Sequence, residues 1–277
     1  MTVKFWGVRG SFPTPHPHML RYGGNTSCVS VSVDTGIVVI DAGTGARQLG
    51  KALLGATQPI YLLLTHLHND HIEGFPFFTP LYHPGHRVHL IDYRQDRQAW
   101  SPLAMLDGVH YPMRPSSIVA DYVAVSEFGP DYLCARGLDV SAVPANHPGG
   151  AYGYRVAHRG RVFVHIPDNE LNPPDSEHTV PYAEFVRFCR GADVLSHDAM
   201  YTSDDLPAKW GWGHSQLDQT CQLAIDAGVR HLVLFHHDPE RTDDAIDTLQ
   251  DRARARLQPH GIECTAAYEG LTFNLGG

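Results

Sequence analysis

The 277-residue sequence contains only five cysteines, and no two of them form a Cys-x-x-Cys pair. An odd number of scattered cysteines indicates neither a disulfide framework nor a thiolate zinc site, and it is typical of a reducing compartment. Long apolar runs are also missing: the N-terminus lacks a stretch of signal-peptide length, and no segment is long enough to span a bilayer. We therefore expect a cytoplasmic protein without a membrane partner.

Positive charge is scarce as well, because 21 Lys and Arg residues stand against 30 Asp and Glu residues, for a net charge of −9. Surfaces that hold nucleic acid or anionic lipid cluster Lys and Arg to neutralise phosphates. The charge balance therefore predicts a small-molecule substrate and argues against a nucleic-acid partner. The 43% hydrophobic and 18% charged content is enough to bury a core and excludes a disordered chain.

Histidine is abundant, with 19 residues, and the richest stretch follows a short apolar segment at 60–64. There the sequence His66-x-His68-x-Asp70-His71 begins. Alternation with a period of two residues sends His66 and His68 to one side, and the following turn brings Asp70 and His71 to a second point nearby. Imidazole and carboxylate groups are good ligands for divalent ions such as zinc or manganese. The loop therefore predicts ligands for two metal ions.

Two metal ions need more ligands than one loop supplies. Further along the chain, His147, Asp168 and His236 each follow an apolar segment, at the point where a predicted strand meets a loop. Functional groups on α/β scaffolds commonly lie at such points. A lone histidine of this kind is more often merely solvated. Together with the first motif, the three residues become candidate metal ligands.

Predicted strands come first along the chain, and strands then alternate with helices, in two halves of similar pattern. This order favours an α/β fold with helices on the outer faces of two packed sheets. Ser215 is expected to cap one late helix and Thr242 another. The predicted strands are 3–6, 29–33, 37–41, 60–64, 152–157, 162–166, 193–196, 262–267 and 271–275, and the predicted helices include 46–54 and 181–190.

Periodicity fades at about residues 92–130, which are rich in Pro, Met, Tyr and Asp. We expect one domain over residues 1–277, with this segment as an inserted lobe. Its aromatic and Met content suits either a lid over the site or a contact between subunits. A homodimer is the expected assembly.

The order of the metal-ligand candidates along the whole chain resembles that of the metallo-β-lactamase superfamily. The resemblance implies a four-layer αββα sandwich holding two divalent ions, Zn²⁺ or Mn²⁺. Further stretches resemble its phosphodiesterase branch, which includes ribonuclease Z, cyclic phosphate phosphodiesterases and cyclic-nucleotide phosphodiesterases. These stretches are Phe5-Trp6-Gly7-Val8-Arg9-Gly10-Ser11, Tyr22-Gly23-Gly24-Asn25-Thr26-Ser27-Cys28, Asp41-Ala42-Gly43-Thr44-Gly45, Gly213-His214-Ser215 and Leu234-Phe235-His236-His237-Asp238-Pro239.

The resemblance also implies a role for each ligand. Each ion is expected on one of two groups of residues, with a carboxylate bridging them. Apart from the resemblance, the hydrolytic mechanism leads us to expect that Asp70 also accepts a proton from the attacking water. Asp168 is the expected bridge, although it stands in Ile166-Pro167-Asp168-Asn169-Glu170, where relatives more often have a hydroxyl residue. The two groups are His66, His68 and His147, and Asp70, His71 and His236.

His214 is the feature that separates subfamilies, because the phosphodiesterase branch is proposed to use a histidine at this position to protonate the leaving oxygen. The expected function is hydrolysis of small cyclic phosphodiesters such as cyclic nucleotides or cyclic sugar phosphates. The alternatives are a lactonase or thioester hydrolase, a ribonuclease Z-like RNA endonuclease, or a binding module without turnover. Asp41 is expected to anchor the metal loop, and Asp198 either to orient His214 or His236 or to be a plain loop residue.

Overall fold

The computed structural model describes residues 1–91, 101–125, 129–174, 179–206 and 208–276. Within these ranges, no helix has both the length and the apolar character needed to cross a membrane. The strands are β1 (Thr2–Gly7), β2 (Cys28–Val33), β3 (Gly36–Ile40), β4 (Ile60–Leu63), β5 (Arg87–Ile91), β6 (Asp121–Val125), β7 (Asp139–Ala145), β8 (Ala151–His158), β9 (Arg161–Ile166), β10 (Val194–Asp198), β11 (His231–Phe235), β12 (Glu263–Ala266) and β13 (Thr272–Asn274). The α-helices are α1 (Ala46–Ala52), α2 (Asn69–Ile72), α3 (Gly129–Cys134), α4 (Tyr182–Cys189), α5 (Leu217–Ala227) and α6 (Asp243–Leu257).

The strands form two mixed sheets. The first has the order β13-β1-β2-β3-β4-β5-β6, and the second has the order β12-β11-β10-β9-β8-β7. Strands β3 to β6 run parallel to one another, as do β9 to β12. Parallel strands end at the same edge of a sheet, so the loops that follow them gather there.

The two sheets pack face to face through an apolar layer in which Phe5 is central. Its ring centroid lies 6.3 Å from that of Phe163 and 5.9 Å from that of Phe235. Leu49 of α1 packs in a second cluster on the outer face of the first sheet, and α4, α5 and α6 cover the outer face of the second sheet. The predicted αββα sandwich is therefore confirmed.

Most of the predicted elements are present, with ends that differ by one or two residues, but the cap of one helix differs. Gln216, not Ser215, is the N-cap of α5. The Ser215 hydroxyl instead donates to the carbonyl of Asn169 and accepts from the amide of Leu171. A polar side chain just before a helix can cap it, but here burial beside another loop gave the hydroxyl different partners. Thr242 caps α6 as predicted, because its hydroxyl accepts from the amide of Ala245.

Part of the segment predicted to be an inserted lobe belongs to the first sheet. Strand β6 pairs in parallel with β5 and forms the edge of that sheet. The sequence analysis missed both strands, since their alternation is short and lies next to a segment without periodicity. Leu106 is buried in the outer cluster of the same sheet. Residues 92–100 and 126–128 of the predicted lobe lie outside the described residues.

Candidate metal centre

All seven predicted metal ligands lie at one edge of the sandwich, on loops that follow strands. The loop after β4 carries four of them and includes the single turn of α2. The loops after β7, β9 and β11 carry one each. These strands belong to both sheets, so the ligands meet where the two sheets open at this edge.

Three histidines form the first group. The Nδ1 atom of His68 lies 3.0 Å from the Nε2 atom of His147. The ring centroid of His66 lies 4.5 Å from that of His68 and 4.8 Å from that of His147. One nitrogen from each ring lies within 4.8 Å of the others, a spacing that a single cation can span.

Four buried residues lie together at the second place: the second group, which is Asp70, His71 and His236, and the neighbouring Asp168. The Oδ2 atom of Asp70 lies 3.2 Å from the Nε2 atom of His71 and 3.3 Å from the Nε2 atom of His236. Two carboxylates and two imidazoles therefore point at one place. Together they are a typical donor set for a divalent transition metal.

Asp168 lies between the two groups. Its carboxylate is within 3.3 Å of the Nε2 atoms of both His71 and His236 in the second group. It is also 3.8 Å from the Nε2 atoms of both His66 and His147 in the first group. Because the residue is only 3% exposed, its charge is not dispersed into solvent. Asp168 therefore has the position that a bridging ligand requires.

The charges at the second group favour a cation. Burial raises the pKa of Asp168, but the histidines led by His236 more than offset it and hold that pKa well below its usual value. Burial disfavours the charged form of His71, yet the carboxylates led by Asp168 raise the pKa of His71 well above its usual value. The buried carboxylates thus surround this imidazole with negative charge, which a metal ion would neutralise.

The first group has the opposite electrostatics. Burial, reinforced by the neighbouring His71, keeps the pKa of His66 well below its usual value. Burial likewise lowers the pKa of His147. Neutral imidazoles are the form that binds a metal ion.

Unpartnered buried atoms test whether the residues fit a metal. Within the described part of the chain, the Nε2 atoms of His66 and His71 and the Oδ1 atom of Asp168 are buried without a hydrogen bond. Buried polar atoms almost always have a partner. Several such atoms converging on one place are explained by a bound cation, so the residues fit the implied metal.

The opposite side of His71 is held by Asp41. The Nδ1 atom of His71 lies 2.7 Å from the Oδ2 atom of Asp41, and this oxygen also accepts from the hydroxyls of Thr65 and Ser27. The Oδ1 atom of Asp41 accepts from the amide of Thr65. Asp41 is fully buried and has φ = 63°, a conformation that Asp and Asn tolerate better than most residues. The contacts agree with the prediction that Asp41 anchors the metal loop, since a carboxylate on the far nitrogen orients a ligating imidazole.

His214 faces the cluster from the loop before α5. Its Nδ1 atom lies 2.7 Å from the Oδ2 atom of Asp198, the last residue of β10. The His214 ring lies 4.8 Å from that of His236 and 5.2 Å from that of His147, measured between centroids. Although burial opposes protonation, the Asp198 carboxylate raises the pKa of His214 to about 9. Three roles were predicted for Asp198, and the hydrogen bond to His214 agrees with the first of them, the orientation of His214.

Sequence reasoning gave no role to three residues that shape the site. The amide of Ser11 donates to the Oδ2 atom of Asp70 over 2.8 Å. Gly10 lies so close to His236 that a Cβ atom there would be 2.4 Å from the Nδ1 atom of the ring. Glu170 accepts from the amides of Gly211 and Gly213 in the loop before His214. The first two lie in the Phe5–Ser11 stretch, whose resemblance to the phosphodiesterase branch was the available signal.

A family model described as the beta-lactamase superfamily domain matches residues 37–237. The chain belongs to the beta-lactamase superfamily. Ribonuclease Z from Thermoplasma volcanium is 24% identical, and the match covers 92% of this chain and 92% of that protein.

Two solved structures show the same fold. The metallo-beta-lactamase fold protein YhfI from Bacillus subtilis has a TM-score of 0.68 at 18% identity, over 98% of both chains. Zn²⁺-bound PqqB from Methylobacterium extorquens has a TM-score of 0.65 at 20% identity, over 99% of this chain and 100% of that one. The predictions of the superfamily and of a metal-dependent hydrolase are confirmed.

The prediction against a nucleic-acid partner is wrong, because the curated relatives that match nearly the whole chain are ribonucleases. The prediction rested on the net charge of −9. Net charge is a sum over the whole chain and does not say what potential a particular cleft presents. Cations held by the carboxylates and histidines would make this cleft attractive to phosphates even on an acidic protein.

Proposed function

We propose that this protein is a phosphodiesterase that uses two divalent cations, Zn²⁺ or Mn²⁺. The three histidines of the first group would hold one ion and Asp70, His71 and His236 the other, with Asp168 shared between them. The single observation that carries the proposal is the position of Asp168 within 3.8 Å of imidazoles in both groups. Divalent ions in such a site supply Lewis acidity and a water molecule of lowered pKa.

Asp70 is the proposed proton acceptor for the attacking water. Burial raises its pKa, but His71 and His236 more than offset that and keep the carboxylate ionised. The amide of Ser11 donates to one of its oxygens and fixes its orientation. The fixed orientation of this carboxylate at the cluster is what would let it receive the proton of a water molecule bound there.

His214 is the proposed proton donor to the leaving oxygen. Asp198 occupies its Nδ1 atom, which leaves Nε2 for the substrate. With a pKa raised to about 9, the imidazole is protonated at neutral pH. Departure of an alkoxide needs a proton, and this imidazole lies beside the cluster where it can supply one. Together with the resemblance of Gly213-His214-Ser215 to the phosphodiesterase branch, this placement favours phosphodiesters.

Two substrate classes are proposed. Small cyclic phosphodiesters, cyclic nucleotides first, require little beyond the metal centre and a few donors. RNA is the second class, and the observation that favours it is the match of ribonuclease Z over 92% of this chain. Both classes present a phosphodiester with an alkoxide leaving group.

The test is a panel of substrates given to metal-reconstituted protein: cyclic nucleotides, a precursor tRNA, bis(p-nitrophenyl) phosphate and a homoserine lactone. We expect turnover of the diesters and none of the lactone, and the ratio of kcat/KM values ranks cyclic nucleotide against RNA. Asp168→Ala should abolish the activity, and His158→Ala, which alters a histidine on β8 away from the cluster, should retain it. Turnover of the lactone alone would contradict the proposal.

A further inference from the structure

A pocket of about 250 Å³ opens beside His214, and none of the proposed metal ligands lines it. Pockets for drug-sized molecules are larger, about 300–1,000 Å³. The volume therefore suits one ring system. The lining residues are Glu170, Asn172, Leu206, Trp210, His214, Gln216 and Gln219.

The loop that forms one wall of this pocket is rigidly held. Glu170 accepts from the amide of Gly211 with one carboxylate oxygen and from the amide of Gly213 with the other, each over 3.0 Å. Both glycines have positive φ, 88° and 86°, which other residues rarely adopt. The loop therefore presents its side chains in a fixed arrangement.

Trp210 is fixed in the same way and yet is 51% exposed. Its Nε1 atom donates to the carbonyl of Asn172 over 2.9 Å. An indole whose polar atom is already satisfied offers only its apolar face to a ligand. Stacking on such a face suits any flat ring, and it is how proteins commonly hold single bases.

The remaining polar groups can bond to the edge of a ring. Gln219 accepts from the amide of Gln216 through its Oε1 atom, which leaves its NH₂ group available. Asn172 is exposed, and its hydrogen bond with Trp210 uses the backbone carbonyl and not the side-chain amide. Amide side chains offer both donors and acceptors, which are the groups that pair with the edge of a nitrogen heterocycle.

We propose that this pocket is a binding subsite for the nucleobase of the substrate. The inference rests on the proposed phosphodiesterase function, since it is the phosphate at the metal centre that would place the base here. His214 lines the pocket and also faces the metal cluster. The base in the pocket therefore belongs to the nucleoside whose oxygen leaves, next to the imidazole that protonates it.

The test compares two ligands that differ only by the base, AMP and ribose 5-phosphate, in equilibrium binding to the metal-loaded protein by calorimetry. We expect AMP to bind about fivefold to a hundredfold more tightly, which is the preference that stacking of one base gives. Trp210→Ala should reduce the preference to about threefold or less. Trp210→Phe, which keeps a flat ring, should retain most of it.

Trp212→Ala is the matched control. Trp212 lies in the same loop and is 59% exposed, but it does not line the pocket. The control should keep the full preference for AMP. Equal binding of the two ligands by the unmodified protein, or the same loss in both alanine variants, would overturn the subsite.

This measurement separates failure of the subsite from failure of the proposed function, because it involves no turnover. A preference for AMP together with no hydrolysis of any diester would leave the subsite standing and remove the phosphodiesterase. Diester hydrolysis without a preference for AMP would remove only the subsite.

Discussion

His214 is the residue on which the proposed leaving-group chemistry depends. His214→Ala should lower kcat by about two to four orders of magnitude for a diester with an alkoxide leaving group, the range typical of general acid catalysis. The metal content should stay unchanged, since His214 is not among the proposed ligands.

The same variant should lose much less activity on bis(p-nitrophenyl) phosphate, because nitrophenolate leaves without a proton. Steady-state kinetics on both substrates, with elemental analysis of the same sample, make the comparison. Equal losses on the two substrates would show that His214 positions the substrate and does not donate a proton.

Asp41 acts on the site through another residue. Asp41→Asn keeps the shape and tolerates φ = 63°, but it removes the charge that faces the Nδ1 atom of His71. We expect metal affinity to fall about 10-fold to 100-fold, as for other partners behind a ligating histidine. Competition with a chelator measures this.

Asp34→Asn is the control for that change, because Asp34 is exposed and pairs with Arg159 at the surface. Its metal affinity should equal that of the unmodified protein. Unchanged metal affinity in Asp41→Asn would mean that Asp41 supports the loop but that its charge does not strengthen metal binding by His71.

At the residue scale, proximity in the sequence decides what can be predicted. The ligands from His66 to His71 lie within six residues, so their convergence follows from one strand and one turn. The contact between Asp198 and His214 joins residues 16 positions apart across a sheet edge, and sequence analysis could only offer it among alternatives. The hydrogen bond of the Ser215 hydroxyl is made to Asn169 in a neighbouring loop, and no local sequence pattern reveals that this loop is close.

At the scale of elements, the turn that follows β1 supports the second ligand group. Gly10→Ala should displace the ring of His236, since the added Cβ would lie 2.4 Å from its Nδ1 atom. We expect weaker binding of one metal ion, visible as a lower second occupancy in a metal titration, with the fold intact by circular dichroism.

Gly55→Ala is the matched control, because a Cβ at Gly55 would meet nothing within 4 Å. Its titration should match that of the unmodified protein. If Gly10→Ala also binds metal normally, the turn after β1 does not constrain His236.

Elements with a strong pattern were predictable, and those defined by long-range pairing were not. The hairpin of β8 and β9 has alternating apolar residues around a short turn containing Gly160, and it was predicted correctly. Strands β5 and β6 pair across a long connection, so nothing local to either one shows that they are neighbours. The sequence of the turn after β1 resembles that of the phosphodiesterase branch, but it does not reveal the contacts of Gly10 with His236 and of Ser11 with Asp70.

For the whole molecule, an apolar layer joins the two sheets, and Phe5 packs within it against residues of the opposite sheet. Phe5→Ala should lower the free energy of unfolding by about 3–5 kcal/mol, the usual cost of removing a buried phenyl ring. Denaturant unfolding at a fixed metal concentration measures it.

Phe12→Ala is the control, because Phe12 is 68% exposed. A change at such a surface position should stay within about 0.5 kcal/mol. Similar losses in the two variants would contradict the placement of Phe5 in the central layer.

The layered fold could be predicted because strand and helix order constrains packing strongly. The class of substrate could not be predicted from charge, because the net charge of −9 describes the entire chain, whereas the electrostatic potential at a cleft is local. The carboxylates and histidines at the strand ends, once loaded with cations, set the local potential.

The number of divalent ions per chain is the most direct test of the proposed centre. Elemental analysis of gently purified protein, repeated after reconstitution with Zn²⁺ or Mn²⁺, measures it. Seven side chains in two groups that share Asp168 predict two ions per chain. One ion or none after reconstitution would contradict a shared binuclear site.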